Sequence, residues 1–400
     1  MVYCYTQQLP WTPNYDRCRI PPFEIPDPLV CFDGSRVTTP EEWFSKRRPE
    51  LIAAYRKYFY GDELPLPDHT EYKLLDEKTI LNGQGIRRQI ELKFSMKNGR
   101  EHKVIMLVYL PANKKDIPVF IGLNFVGNHV VEADPDIIPT GEIGDLAAER
   151  GSASRRYPLE LILGSGYAIA TVTHHEFYLD NHMNGWENSV CSKLFQLDPQ
   201  NYSAIGTWSW GISRMLDCLT DFVPEIDPEK AIVYGHSRLG KTSLWTMARD
   251  TRFKMACVND SGCGGAALNR RLYGETLFSM VHRSNFGFWF VPLMKEYCLT
   301  PGKLPVEQNE LIALAAPRYI AVHSATLDQW ADPTGEYLST YHAGAVFRLF
   351  GMSGPESENP PETETPVGNE LSYYYRTGKH DILAADFEHY IDRANQLFKR

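Results

Sequence analysis

The chain has 400 residues, 43% of them hydrophobic and 12% aromatic, enough to bury a large core as one decorated domain or two modest ones. A formal net charge of −9, without any long lysine or arginine block, argues against nucleic acid and anionic membrane surfaces as partners. A neutral or polar small substrate, or a sugar polymer, fits better, and 22 tyrosines and 8 tryptophans supply ring faces on which sugars stack.

The start "MVYCYTQQLPWTPNYDRC" lacks a basic leader followed by an apolar stretch, so the expectation is either a cytoplasmic protein or an exported one whose signal has been trimmed. No apolar run of about 18 residues points to a membrane span. The eight cysteines are scattered without a C-x-x-C pair, which leaves zinc-ribbon and redox readings unsupported and establishes no disulfide. Residues 1–40 are rich in proline and read as an extended arm laid over the domain that follows, 41–400. "TTPEEWFSKRRPELIAAYRKYFYG" has a Thr cap, Pro and Glu in the first turn and a closing glycine, the marks of a helix. "IRRQIELKF" and "KVIMLVYLP" alternate as antiparallel strands do.

Beyond these, "IPVFIGLNF", "YAIATVTH", "KAIVYGHS", "FKMACVND" and "RYIAVHSA" are continuous apolar strands, several separated by helical stretches such as "SAIGTWSWGISRMLDCLTDF" and "GKTSLWTMARD". Buried strands alternating with helices predict an α/β protein, a mostly parallel sheet covered on both faces. The acidic, proline-rich segment 353–370 reads as an exposed loop, and "DILAADFEHYIDRANQLFKR" as a final amphipathic helix.

In such a sheet ligands collect at the carboxyl ends of the strands. After "AIVY" come Gly235, His236, Ser237, Arg238, Leu239 and Gly240 and then a helix, the setting of a nucleophile elbow, although the second glycine falls one residue late for G-x-S-x-G. Asp260 follows "FKMACVN", Asp328 follows "RYIAVHSATL", and His380 follows "LSYYYRTGK". The order Ser, acid, His is that of α/β-hydrolases. A serine hydroxyl needs an imidazole to take its proton, and the imidazole needs a carboxylate to fix its tautomer. Oxyanion donors are expected at the backbone N–H of Arg238 and the helix start, with the Arg238 guanidinium adding positive charge. "THHEF" at 173–177 lacks H-E-x-x-H, and adjacent histidines in a strand point to opposite faces, so no metal or other cofactor is expected. His389 falls off the apolar face of its helix and reads as solvated, and Asp332, before a proline, reads as a turn former.

The combination of "GHSRLGKTSLW", "NDSGCGGAALNRRLYGE" and "LDQWADPTGEYL", with support from "GLNFVGNH" and "TWSWGISRMLDCL", resembles the glucuronoyl esterases from about residue 27 onward. These are serine hydrolases that cleave esters between glucuronic acid on xylan and alcohols of lignin. The resemblance implies an α/β-hydrolase three-layer sandwich, with Ser237 as nucleophile, Arg238 at the oxyanion and His380 as base. It also implies that Lys241 and Glu275 bind uronate hydroxyls and that Trp330 lines the sugar site. The acid is Asp328 or Asp260; the shorter reach of aspartate, where the family more often has glutamate, favours Asp328. Lys241 has an alternative as a helix-surface lysine, Glu275 as a buried partner of Arg270 or Arg271, and Trp330 as a core residue. The implied partner is a uronic-acid-bearing polysaccharide or its esters, met by a monomer outside the cell. A pectic galacturonate methyl esterase, an acetylxylan esterase, and a non-catalytic carbohydrate-binding protein remain the other readings.

Overall fold

The apolar runs assemble into one ten-stranded sheet in a computed structural model that describes residues 12–142 and 144–399. Its strands are β1 His69–Ile80, β2 Gly85–Ser95, β3 Glu101–Pro111, β4 Ile117–Asn124, β5 Ala168–Thr173, β6 Ile226–His236, β7 Met255–Asn259, β8 Tyr319–Ala325, β9 Val367–Gly368 and β10 Leu371–Arg376. The spatial order is β1-β2-β3-β5-β4-β6-β7-β8-β10-β9. Strands β5, β4, β6, β7, β8 and β10 run parallel, while β1, β2, β3 and β9 pair antiparallel at the two edges.

Successive side chains of a strand face opposite ways, and the parallel strands use both faces. Val233, Val258 and Val322 pack with Trp208, Trp245 and Phe347 from the helices Ala204–Phe222, Arg238–Arg249 and Pro333–Leu349. Ile232, Cys257 and Ala321 meet Ile162, Phe387 and Tyr390 from Leu159–Gly164 and Ala384–Phe398 on the other side. Helix, sheet and helix make three layers, as the alternation of strands and helices predicts, and the architecture is the α/β-hydrolase one that the resemblance implies.

The helix expected after residue 38 runs from Pro40 to Tyr60 through alternating α- and π-helical turns, and the Thr39 hydroxyl accepts from the Glu42 N–H at 3.2 Å. The arm before it, from residue 12, is tied down by backbone groups: Asn309 Nδ2 donates to Pro26 O at 2.8 Å, and Asn14 O accepts from Gly274 N at 2.9 Å. Residues 1–11 of the expected arm, including Cys4, lie outside the described residues, and the seven described cysteines are free thiols. Segment 353–370 departs from a plain loop, because Val367 and Gly368 add a short antiparallel edge to β10. Two residues are too few for an alternating pattern to show.

Candidate active site

Ser237 closes β6 with φ 57° and ψ −128°, a conformation that costs a non-glycine residue about 1–3 kcal/mol and persists only where the surroundings enforce it. They do so here through hydrogen bonds on both sides. The Ser237 N–H donates to Asn259 O at 2.9 Å, and its carbonyl accepts from Lys241 N at 3.1 Å as the helix begins. The late glycine of the motif has a packing reason. A Cβ on Gly235 would lie 2.1 Å from Leu239 O, and one on Gly240 would lie 3.0 Å from Asn259 O and 3.1 Å from Ser261 Cβ. The helix therefore enters against the end of β7 through Gly240, while Leu239 is buried in the core. Arg238 takes the first helical position, where the unpaired N–H groups and the dipole favour negative charge.

Asp328 and His380 come together from the loops after β8 and β10: His380 Nδ1 donates to Asp328 Oδ2 at 2.5 Å. Asp328 is buried and His380 is partly exposed. With the proton on Nδ1, Nε2 presents its lone pair, the state a general base needs. Asp260 lies in the same group, with ligand atoms of Asp260, Asp328 and His380 all within 4.8 Å of one another. Its bonds go elsewhere. Oδ2 accepts from Asp381 N at 3.2 Å and sits 3.7 Å from Arg376 Nη2, while Oδ1 has no hydrogen-bond partner. Burial first, then the charge of Asp328, push the Asp260 carboxyl well above the usual carboxylate range. The His236 ring lies 4.4 Å from that of His380, anchored through Nδ1 to Asn259 Oδ1 at 2.5 Å, and burial pushes its pKa well below the ordinary value.

The cations of the motif are each matched by a carboxylate. Lys241 is 3% exposed, not a surface lysine, and its ammonium donates to Glu275 Oε2 at 2.8 Å and Ser261 O at 2.5 Å. Glu275 has no pairing with the two arginines near it in sequence: Arg271 is bonded to Asp332, and Arg270 lies 3.6 Å from Glu307. Trp330 is half-buried beside Asp328, and its carbonyl accepts from Glu275 N at 2.7 Å. That contact is possible because residue 274 is glycine with φ +59°, where a Cβ would meet Gln329 O at 2.4 Å and Trp330 O at 2.5 Å. Arg238 is bonded to the buried Asp180, and its guanidinium lies 4.7 Å over the Trp289 ring and 5.1 Å over Phe286.

Asp180 and Trp289 are absent from the sequence reading, and His236 was named there only as part of the serine motif, with no role of its own. Asp180 also accepts from Trp289 Nε1 at 2.7 Å and lies 3.3 Å from His174 Nε2. Two expectations are corrected. His174 and His175 do not point to opposite faces, because β5 has ended and His174–Glu176 is a 3-10 turn that brings their rings to 4.1 Å. His389 is not solvated: it is half-buried, with its ring 3.9 Å from that of Tyr374. Asp332 caps the helix Pro333–Leu349 with φ 57°, a turn residue as its neighbour proline suggests.

A family profile described as glucuronyl esterase of fungi matches residues 151–351. A carbohydrate esterase, MZ0003, from an unknown prokaryotic organism is 38% identical, with 96% of this chain and 91% of the relative covered. The structure of a glucuronoyl esterase from Solibacter usitatus superposes with a TM-score of 0.87 at 34% identity, over 94% of this chain and 99% of that one. A promiscuous CE15 esterase from a marine bacterial metagenome gives 0.84 at 37%, over 96% and 99%.

Proposed function

This chain belongs to the glucuronoyl esterase family, and we propose that it hydrolyses esters of glucuronic acid through an acyl-enzyme on Ser237. The observation that carries the reading is the strained Ser237 at a helix N-terminus together with the His380–Asp328 bond. Ser237 Oγ attacks the ester carbonyl as His380 Nε2 takes its proton, and Asp328 stabilises the resulting imidazolium. The tetrahedral oxyanion is held by the N–H of Arg238 and the start of its helix, with the guanidinium adding a fixed positive charge. His380 then protonates the departing alcohol and later activates the water that frees the uronate.

Recognition of the sugar falls to Lys241, Glu275 and Trp330, which line up through the Lys241–Glu275 pair and the Glu275–Trp330 backbone bond. Charged groups aimed at hydroxyls discriminate strongly, because an analogue without the hydroxyl leaves them unpaired. The natural substrate in this proposal is a uronic-acid-bearing polysaccharide, met outside the cell by a monomer. Among the described residues no helix is long and apolar enough to cross a membrane.

A panel of methyl glucuronate, methyl galacturonate and an aryl acetate tests the substrate. The reading expects kcat/KM highest for the glucuronate, with Lys241→Ala and Glu275→Ala lowering it on the uronate by roughly a hundredfold and much less on the acetate. An equal preference for the acetate, unmoved by those substitutions, would contradict it.

A further inference from the structure

Both cations of the serine motif are already neutralised in the free protein. Arg238 is bonded to Asp180, whose side chain is 3% exposed, and Lys241 to Glu275, whose side chain is 9% exposed. Trp289 braces both pairs: its Nε1 donates to Asp180 at 2.7 Å, and its ring lies 4.7 Å from the Arg238 guanidinium and 5.9 Å from the Lys241 ammonium. Asp180 is committed to its charge. Burial alone would push its carboxyl up, but the contact with His174, the charge of Arg238 and the hydrogen bond from Trp289 outweigh that and hold it well below the usual range. An arginine meant only to attract anions would not be given so complete a counter-charge.

The charge changes along the reaction supply a reason. Resting on the glucuronate-ester reading above, the substrate is a neutral ester. In the transition state the oxyanion appears together with the imidazolium of His380, so the net charge of the site is unchanged. At the end the acyl C–O bond has exchanged the alcohol for the oxygen of water, the proton has left through His380 to solvent, and a carboxylate remains with nothing to offset it. A site with a surplus positive charge would bind that product best. We propose that Asp180, acting through Arg238, is a positioning residue that removes the surplus, so that the oxyanion is met by directed N–H groups while the glucuronate product is released.

The test compares competitive inhibition of methyl glucuronate hydrolysis by glucuronate and by neutral glucuronamide, in the parent protein, Asp180→Asn and Asp180→Glu. In the parent, glucuronamide should inhibit at lower concentration than glucuronate. In Asp180→Asn the ratio of Ki for glucuronate to KM for the ester should fall about tenfold, as expected for unmasking one partly exposed charge. Asp180→Glu should restore the parent ratio. A merely structural Asp180 predicts an unchanged or raised ratio, since an untethered Arg238 would bind the anion no better. The proposal is overturned if the parent prefers glucuronate to glucuronamide, or if the ratio in Asp180→Asn is unchanged or raised; the first comparison stands even if that variant does not fold. A parent protein that leaves methyl glucuronate intact would instead sink the substrate reading itself.

Discussion

At the scale of single residues, two buried carboxylates lie within reach of one imidazole, and their surroundings divide the work. Asp328 bonds His380 at 2.5 Å, whereas burial pushes the Asp260 carboxyl far up and its bonds go to Asp381 and toward Arg376. Asparagine keeps the size of Asp260 without the charge that its buried place disfavours, whereas at Asp328 it replaces the oxygen that accepts from His380 Nδ1. Asp328→Asn is therefore expected to lower kcat by roughly 10³–10⁴, the penalty for a wrong tautomer, and Asp260→Asn by less than about tenfold. Steady-state kinetics of the two variants check this, and a reversed order would exchange the roles. Ser237, Asp260, Asp328 and His380 were legible because each follows an apolar strand, so sequence position reports spatial position. Asp180 was not, since it lies 58 residues from Arg238 in a loop without periodicity, and only the folded chain brings the two together.

At the scale of elements, the elbow depends on close approach of three backbones. Alanine at Gly235 would push its Cβ into Leu239 O, backbone that cannot yield without moving the helix. The expected loss for Gly235→Ala is about 2–4 kcal/mol, read as a lower urea midpoint at unchanged slope, with activity falling in parallel. An unchanged midpoint would mean the helix entry is looser than described. The central parallel strands announced themselves because burial on both faces makes them continuously apolar, as in "KAIVYGHS". Strand β1, "HTEYKLLDEKTI", was not singled out, because as an edge strand it is largely exposed and charged, with a register shift between Leu74 and Asp76 that breaks its alternation. The antiparallel pair β9 and β10 shows the same limit: two residues of edge carry no readable pattern.

At the scale of the whole molecule, buried carboxylates tie the site loops to the sheet. Glu336 accepts from Ser261 Oγ and Gly262 N at 2.9 Å each and from Ser324 Oγ at 2.5 Å, joining the turn after Asp260 to the end of β8. Burial raises its pKa from 4.5 to about 7, despite those hydrogen bonds. The folded state thus holds a proton that the unfolded chain has released, so this group's contribution is present below pH 4.5 and is lost as pH rises toward 7. Relative to Glu336→Gln, which cannot ionise, the parent should lose stability over that window by up to about 3 kcal/mol. Parallel denaturation curves at pH 4.5 and 7.5 check the sign, and a parent that gains on the variant as pH rises would contradict it. The central claim remains that one strained serine does the chemistry. The most direct measurement is kcat/KM of Ser237→Ala on methyl glucuronate. A loss of about 10⁵–10⁶ is predicted, leaving only what binding and oxyanion donors supply, while activity within tenfold of the parent would contradict the account.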